Sequence, residues 1–94
     1  MKVEIENYGN YSSNNYGAHC LKVRIGCLTL WFSYNTVVAF RAPGCLIEVS
    51  ENCWNTTTGK HLNAIDGGAK KDRLPRAQFE KELEQVLKQY NLEV

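Results

Sequence analysis

Leu21-Lys22-Val23-Arg24-Ile25-Gly26-Cys27-Leu28-Thr29-Leu30-Trp31-Phe32-Ser33-Tyr34 decides the fold. Leu21, Val23 and Ile25 fall on one side of an extended chain, and Cys20, Lys22 and Arg24 on the other. After Gly26 the alternation resumes, with Leu28, Leu30, Phe32 and Tyr34 opposing Cys27, Thr29, Trp31 and Ser33. A period of two over both runs, broken by one glycine, predicts two strands of an antiparallel hairpin.

Downstream, Asn35-Thr36 is expected as a second tight turn. Residues 37–42 are apolar on both sides (Val37 and Ala39; Val38 and Phe40), as a central strand requires. Ala42-Pro43-Gly44 ends that strand, and residues 45–50 are expected to form another, with Cys45, Ile47 and Val49 inward. Upstream, residues 2–6 alternate around Val3 and Ile5 and read as an edge strand. Residues 7–18 have the Tyr, Asn, Ser and Gly composition of a flexible loop.

The period then changes. Thr57 or Thr58 is expected to cap a short helix over residues 57–66, which Asp66-Gly67-Gly68 stops. Pro75 suits a first helical turn, and Phe79, Leu83, Val86, Leu87 and Tyr90 form one apolar stripe of a helix over residues 75–91. The sum is an α+β fold: one small domain, a meander of about five antiparallel strands, a short helix, and a C-terminal amphipathic helix on one face. Lys22, Arg24, Thr29, Trp31 and Arg41 would line the opposite, partly open face.

Composition narrows the function. Ninety-four residues make one domain with a small core, and the 44% apolar and 22% charged residues are those of a globular chain. Eleven Lys and Arg against ten Asp and Glu give a net charge of +1, so a nucleic-acid contact would need a local patch. The longest apolar run, Val37 to Phe40, is too short to span a bilayer, and the first residues lack the apolar centre of a signal peptide. A cytoplasmic location follows as an expectation. In that compartment Cys20, Cys27, Cys45 and Cys53 are read as free thiols.

Trp54-Asn55-Thr56-Thr57-Thr58-Gly59-Lys60-His61 resembles a phosphate-cradling loop, but it lacks the earlier glycine, where Trp54 stands, and the following Ser or Thr, where His61 stands. The cysteine spacings, with six and seven residues between pairs, do not fit structural zinc. A Cys53–His61 pair is conceivable across the strand–helix junction, yet His61 is read as an exposed helix residue, and no catalytic residue, metal or cofactor is expected. Residues 60–76 hold five cations (Lys60, Lys70, Lys71, Arg73, Arg76) against Asp66 and Asp72, followed by an acidic helix. That segment is a candidate phosphate-contacting patch, with His61 beside Lys60 counted among its binding residues and Trp31 among the aromatic residues placed to stack on bases. Tyr8, Tyr11 and Tyr16 give the 7–18 loop the composition of an adaptable binding surface.

The segments Ser33-Tyr34-Asn35-Thr36-Val37-Val38-Ala39-Phe40, Thr57-Thr58-Gly59-Lys60-His61-Leu62-Asn63 and Asn15-Tyr16-Gly17-Ala18-His19 resemble a family of small uncharacterised proteins from phages and prophage-carrying bacteria. The resemblance covers roughly residues 15–87. It implies an accessory protein of a mobile element in a bacterial cytosol. Such a protein is expected to bind and block a host protein or ribonucleoprotein complex, in the manner of an anti-CRISPR inhibitor. Direct nucleic-acid binding through residues 60–76 is the alternative.

Overall fold

Gly26, at φ +60°, turns the chain in the left-handed region that a side chain disfavours, and so closes the first hairpin. In the computed structural model, which describes residues 3–8 and 20–92, five strands follow one another in space as in sequence. They are β1 (Val3–Asn7), β2 (Cys20–Ile25), β3 (Leu28–Ser33), β4 (Thr36–Arg41) and β5 (Glu48–Val49), all antiparallel. Two helices follow, α1 (Thr56–Asp66) and α2 (Arg76–Gln89), separated by a 3-10 turn at Lys70–Asp72. The α+β meander expected from the alternation is the fold.

The register of β3 on β4 carries an irregularity with large consequences. Trp31 faces Ala39 but Phe32 faces Val37, so Val38 is an extra residue in β4. The bulge sends Val37 and Phe40 to one face of the sheet and Val38 and Ala39 to the other. All four are buried. On the first face Leu28, Leu30, Val37 and Phe40 pack with Phe79, Leu83 and Leu87 of α2, and the Phe40 and Phe79 rings lie 5.4 Å apart. On the second face Val38, Ala39 and Val49 pack with Leu62 of α1, with Trp31 and Ile65 at the margin.

Helices thus cover β3 and β4 on both faces. Of the face expected to be partly open, Thr29 and Trp31 are buried or half-buried, whereas Arg24 and Arg41 stay exposed, as does all of β1. Trp31 is half-buried in a second core, because α1 returns over β4 and β5 instead of lying beside the sheet. The strand expected over residues 45–50 shrinks to Glu48–Val49, and Cys45 and Ile47 are exposed. A parallel bridge from Ser50 to Leu74, with Glu51 N–H donating to the Leu74 carbonyl (2.8 Å), covers that edge instead. The second turn falls at Tyr34-Asn35, one residue early, and Tyr34 adopts φ +55°. The residues 9–18 expected as a loop lie outside the described residues.

If both faces are true cores, Leu62→Ala and Leu83→Ala must both create cavities. Each is expected to cost about 2–5 kcal/mol in urea unfolding. A Leu62→Ala variant within about 0.5 kcal/mol of the parent, the level of an exposed-site change, would show that only the α2 face is a core.

Candidate functional site

Asn55, extended at φ −116°, caps α1 by accepting the Thr58 N–H at its Oδ1 (3.0 Å). The cap thus stands two residues before the expected Thr57. Gly59 and Lys60 lie inside the helix, not in a loop ahead of it. A Cβ at Gly59 would meet Asn52 Nδ2 at 3.0 Å, so this glycine serves a close approach of the 51–55 loop to the helix.

Thr58 and His61, one turn apart, both point at the sheet. Ser33 Oγ lies 3.0 Å from Thr58 Oγ1 and 2.7 Å from His61 Nδ1. Tyr8 donates its hydroxyl to the Phe32 carbonyl (2.8 Å) and sets its ring edge-on to His61 at 6.2 Å, while the Tyr34 ring lies 6.0 Å away. Cys20 stands opposite Ser33 in the sheet register and is fully buried.

His61 is thus wholly buried, not an exposed helix residue, and cannot serve the exposed Cys53. The spacing of Thr58, His61, Leu62 and Ile65 is an inward helical stripe, the signal in the sequence that marks His61 as buried. A hydroxyl–imidazole contact at 2.7 Å has the geometry of a nucleophile and its base. Ser33, however, is only 3% exposed and its hydroxyl is shared with Thr58. The cluster pins α1 to β3, as a buried hydrogen-bonded network does.

Above it opens a small cleft of about 180 Å³. Ser33 and Thr58 reach its floor, and Tyr34 and Trp54 form its walls, 45% and 39% exposed. Trp54 is held from behind by Arg76, whose guanidinium lies 4.8 Å from the indole centroid. Arg76 also donates to the Val37 carbonyl (3.0 Å) and pairs with Glu80 (2.9 Å). Its expected role in a phosphate patch gives way to that of a clamp between α2, β4 and Trp54.

Arg73 is likewise engaged. Its guanidinium makes a two-point contact with Asp66, Nε to Oδ2 at 2.8 Å and Nη2 to Oδ1 at 2.9 Å, and reaches Asn63 Oδ1 at 3.0 Å. Both side chains of the ion pair are nearly buried. The hydrogen bond from Arg73 holds the Asp66 carboxyl below the usual aspartate range. Lys60 and Lys70 share a groove of about 500 Å³ with Asn52, Asn63, Arg73 and the acidic Glu51, while Lys71 is exposed beside it. The five cations do not form one patch.

Trp31 lies on the α1 face of the sheet with Lys22 Nζ 5.6 Å from its ring. Tyr11 and Tyr16 fall outside the described residues. Among the described residues no three His, Cys, Asp or Glu side chains gather to hold a metal, and no helix is long and apolar enough to cross a membrane.

A family model matches residues 3–81, which span the whole sheet, α1 and the start of α2. The chain belongs to DUF8033, a family of unknown function. The matched region takes in β1 as well as residues 15–19, 33–40 and 57–63. Neither the curated proteins nor the solved structures give a match to the chain.

Two outcomes follow from these contacts. Ser33→Ala leaves the buried Thr58 and His61 each short of a partner and is expected to cost about 1–3 kcal/mol in denaturant unfolding. A fluorophosphonate probe is expected not to label Ser33; labelling that Ser33→Ala abolishes would make the serine a nucleophile.

The Asp66–Arg73 pair predicts a pH dependence. Because the folded pKa of Asp66 is depressed, its stabilisation is present above the unfolded aspartate value of about 3.9 and is lost as pH falls through the folded one. Glu48 acts in the opposite sense, since burial and then the nearby Glu82 raise its pKa, so its contribution fades as pH rises. Comparison with Asp66→Asn isolates the first effect. The parent is expected to be more stable by roughly 2 kcal/mol near neutrality, the scale of a charged hydrogen bond. That gap closes below the ordinary aspartate range, and a gap constant with pH would contradict the assignment.

Proposed function

We propose that this chain is a non-catalytic interaction protein whose contact surface centres on the Tyr34–Trp54 cleft. The observation that carries the reading is the pair of half-exposed aromatic rings on either side of one concavity. Tyr34 comes from a tight turn of the sheet, and Trp54 is clamped by Arg76. Rigid aromatic side chains at the rim of a small cleft lose little freedom on binding, which is why Trp and Tyr dominate the energetics of interfaces.

The partner proposed is a host protein or ribonucleoprotein, and the setting a bacterial cytoplasm. The chain would act there as an accessory of a phage or mobile element that blocks a host defence complex by occupying one of its surfaces. The phage-like segments 33–40 and 57–63 support this setting, and they include Ser33, Tyr34, Val38 and Thr58 of the cleft. Nucleic-acid binding is the second reading, favoured by Lys60 and Lys70 lining one groove. It is weakened by the commitment of Arg73 and Arg76 to internal contacts.

Affinity capture from nuclease-treated bacterial lysate tests the choice. The tagged parent is expected to retain a stoichiometric protein partner, and Trp54→Ala and Tyr34→Ala to lose it by about tenfold or more, as truncation of an interface anchor does. Both variants should keep the parent's circular dichroism spectrum. Capture that survives both substitutions would remove the cleft from the interface. Capture that disappears with nuclease would transfer the reading to nucleic acid.

A further inference from the structure

At the other end of the β3–β4 hairpin from the cleft, the register sets Arg24, Thr29 and Arg41 abreast on three neighbouring strands. Paired residues in a sheet share a face, so the two arginines flank Thr29 on the same side, about 10 Å apart at their backbones, two interstrand spacings. Both line a groove of about 440 Å³ with the buried Thr29. Gly26 and Gly44, both at positive φ, also line it and bring no side chain to it.

The charge of this groove sets it apart. No carboxylate lines it, whereas the groove along α2 holds Glu80 and Glu84 with its cations, and the Lys60 groove holds Glu51. Among the described residues Arg41 has no ion pair. Arg24 contacts Glu4 at 3.3 Å, with both side chains more than two-fifths exposed. An exposed pair of that kind contributes little and is readily exchanged for a better acceptor.

The geometry points to an anion-binding site that takes one phosphate monoester, held between the guanidinium groups of Arg24 and Arg41 above Thr29. A monoester is a dianion near neutral pH with three terminal oxygens, enough to accept from two guanidinium forks at once. A backbone diester offers one charge and two such oxygens. The volume leaves room for the group that carries the phosphate, and the rim at Ala42 and Pro43 is apolar. The site lies apart from the Tyr34–Trp54 cleft, and failure of either reading leaves the other standing.

The test is an amide-resolved NMR titration of the full chain at constant ionic strength, with inorganic phosphate, a nucleoside 5′-monophosphate, and a short oligonucleotide with and without a 5′-phosphate. The Arg24, Thr29, Arg41 and Gly44 amides are expected to shift together with the first two ligands and with the phosphorylated oligonucleotide. Arg41→Ala, an exposed change, is expected to weaken binding about tenfold, and Arg41→Lys less, because lysine lacks the fork. As a second readout on the parent, bound phosphate should slow alkylation of Cys27 and Cys45, which line the groove, but not of Cys53. Unmoved groove amides, affinity unchanged in a folded Arg41→Ala, or equal response to the unphosphorylated oligonucleotide would each overturn the assignment.

Discussion

The constraint on which the structure depends is the burial of β4 on both faces. A strand with Val37 and Phe40 on one side and Val38 and Ala39 on the other cannot rest against a single helix. The extra residue at Val38 makes that division, because without it Val37 and Phe40 would fall on opposite sides of the pleat. Two helices are then required to keep water from β4. The chain supplies α2 for the face of β3 that carries Leu28 and Leu30, and α1 for the face that carries Trp31 and Ser33. Seating α1 there brings Thr58 and His61 onto Ser33. The same placement puts Trp54, from the segment before the helix, in one cleft with Tyr34. The cleft is a by-product of how the second face is closed.

Charge is distributed by the same logic. The tally of cations over residues 60–76 describes a patch only if all the side chains share a surface free for a ligand. Lys60, Lys70 and Arg73 line one groove, but Arg76 does not line it and Arg73 is tied up internally. Arg73 ties the 3-10 segment to the end of α1 through Asp66. Arg76 ties α2 to β4 and carries Trp54 on its planar face. Guanidinium groups suit such work because they offer several donors in a fixed fork and stack on aromatic rings. The sheet holds the contrasting case. There Glu6 pairs with Lys22 and Glu4 with Arg24 across β1 and β2, and Arg41 on β4 is left facing a groove without a carboxylate. In a chain of net charge +1, position decides which cations can meet a ligand.

Much of the fold was legible in the sequence because its signals are periodic. The alternation over residues 21–34 predicts β2 and β3 as a hairpin, and the stripe Phe79, Leu83, Leu87 predicts the buried face of α2. What escaped is local or two-sided. A bulge leaves no mark in a run that is apolar at every position. The cap at Asn55 competed with three threonines that cap nearly as well. Residues 45–47 alternate like a strand but do not pair with β4, whose ladder with β5 is confined to Ala39–Val49 and Phe40–Glu48. The chain turns at 42–45 instead, with Cys45 N–H donating to the Ala42 carbonyl. His61 reads from the sequence as an exposed helix residue, although its spacing from Thr58, Leu62 and Ile65 places it inward. The cleft itself joins residues 33–38 to residues 54–58, a contact that no periodicity within either segment encodes.

The claim that β4 is buried on both faces, with α1 seated over Val38, is tested most directly by methyl-resolved NMR distance measurements on the full chain. The structure requires contacts from the Leu62 methyls to those of Val38 and Val49, together with contacts from Leu83 into the cluster of Leu30 and Phe40. Both sets observed in one species would establish the two cores. Leu62 methyls that show only intrahelical and solvent contacts, beside an intact Leu83 set, would mean that α1 does not cover the sheet, and the cleft built on it would not exist.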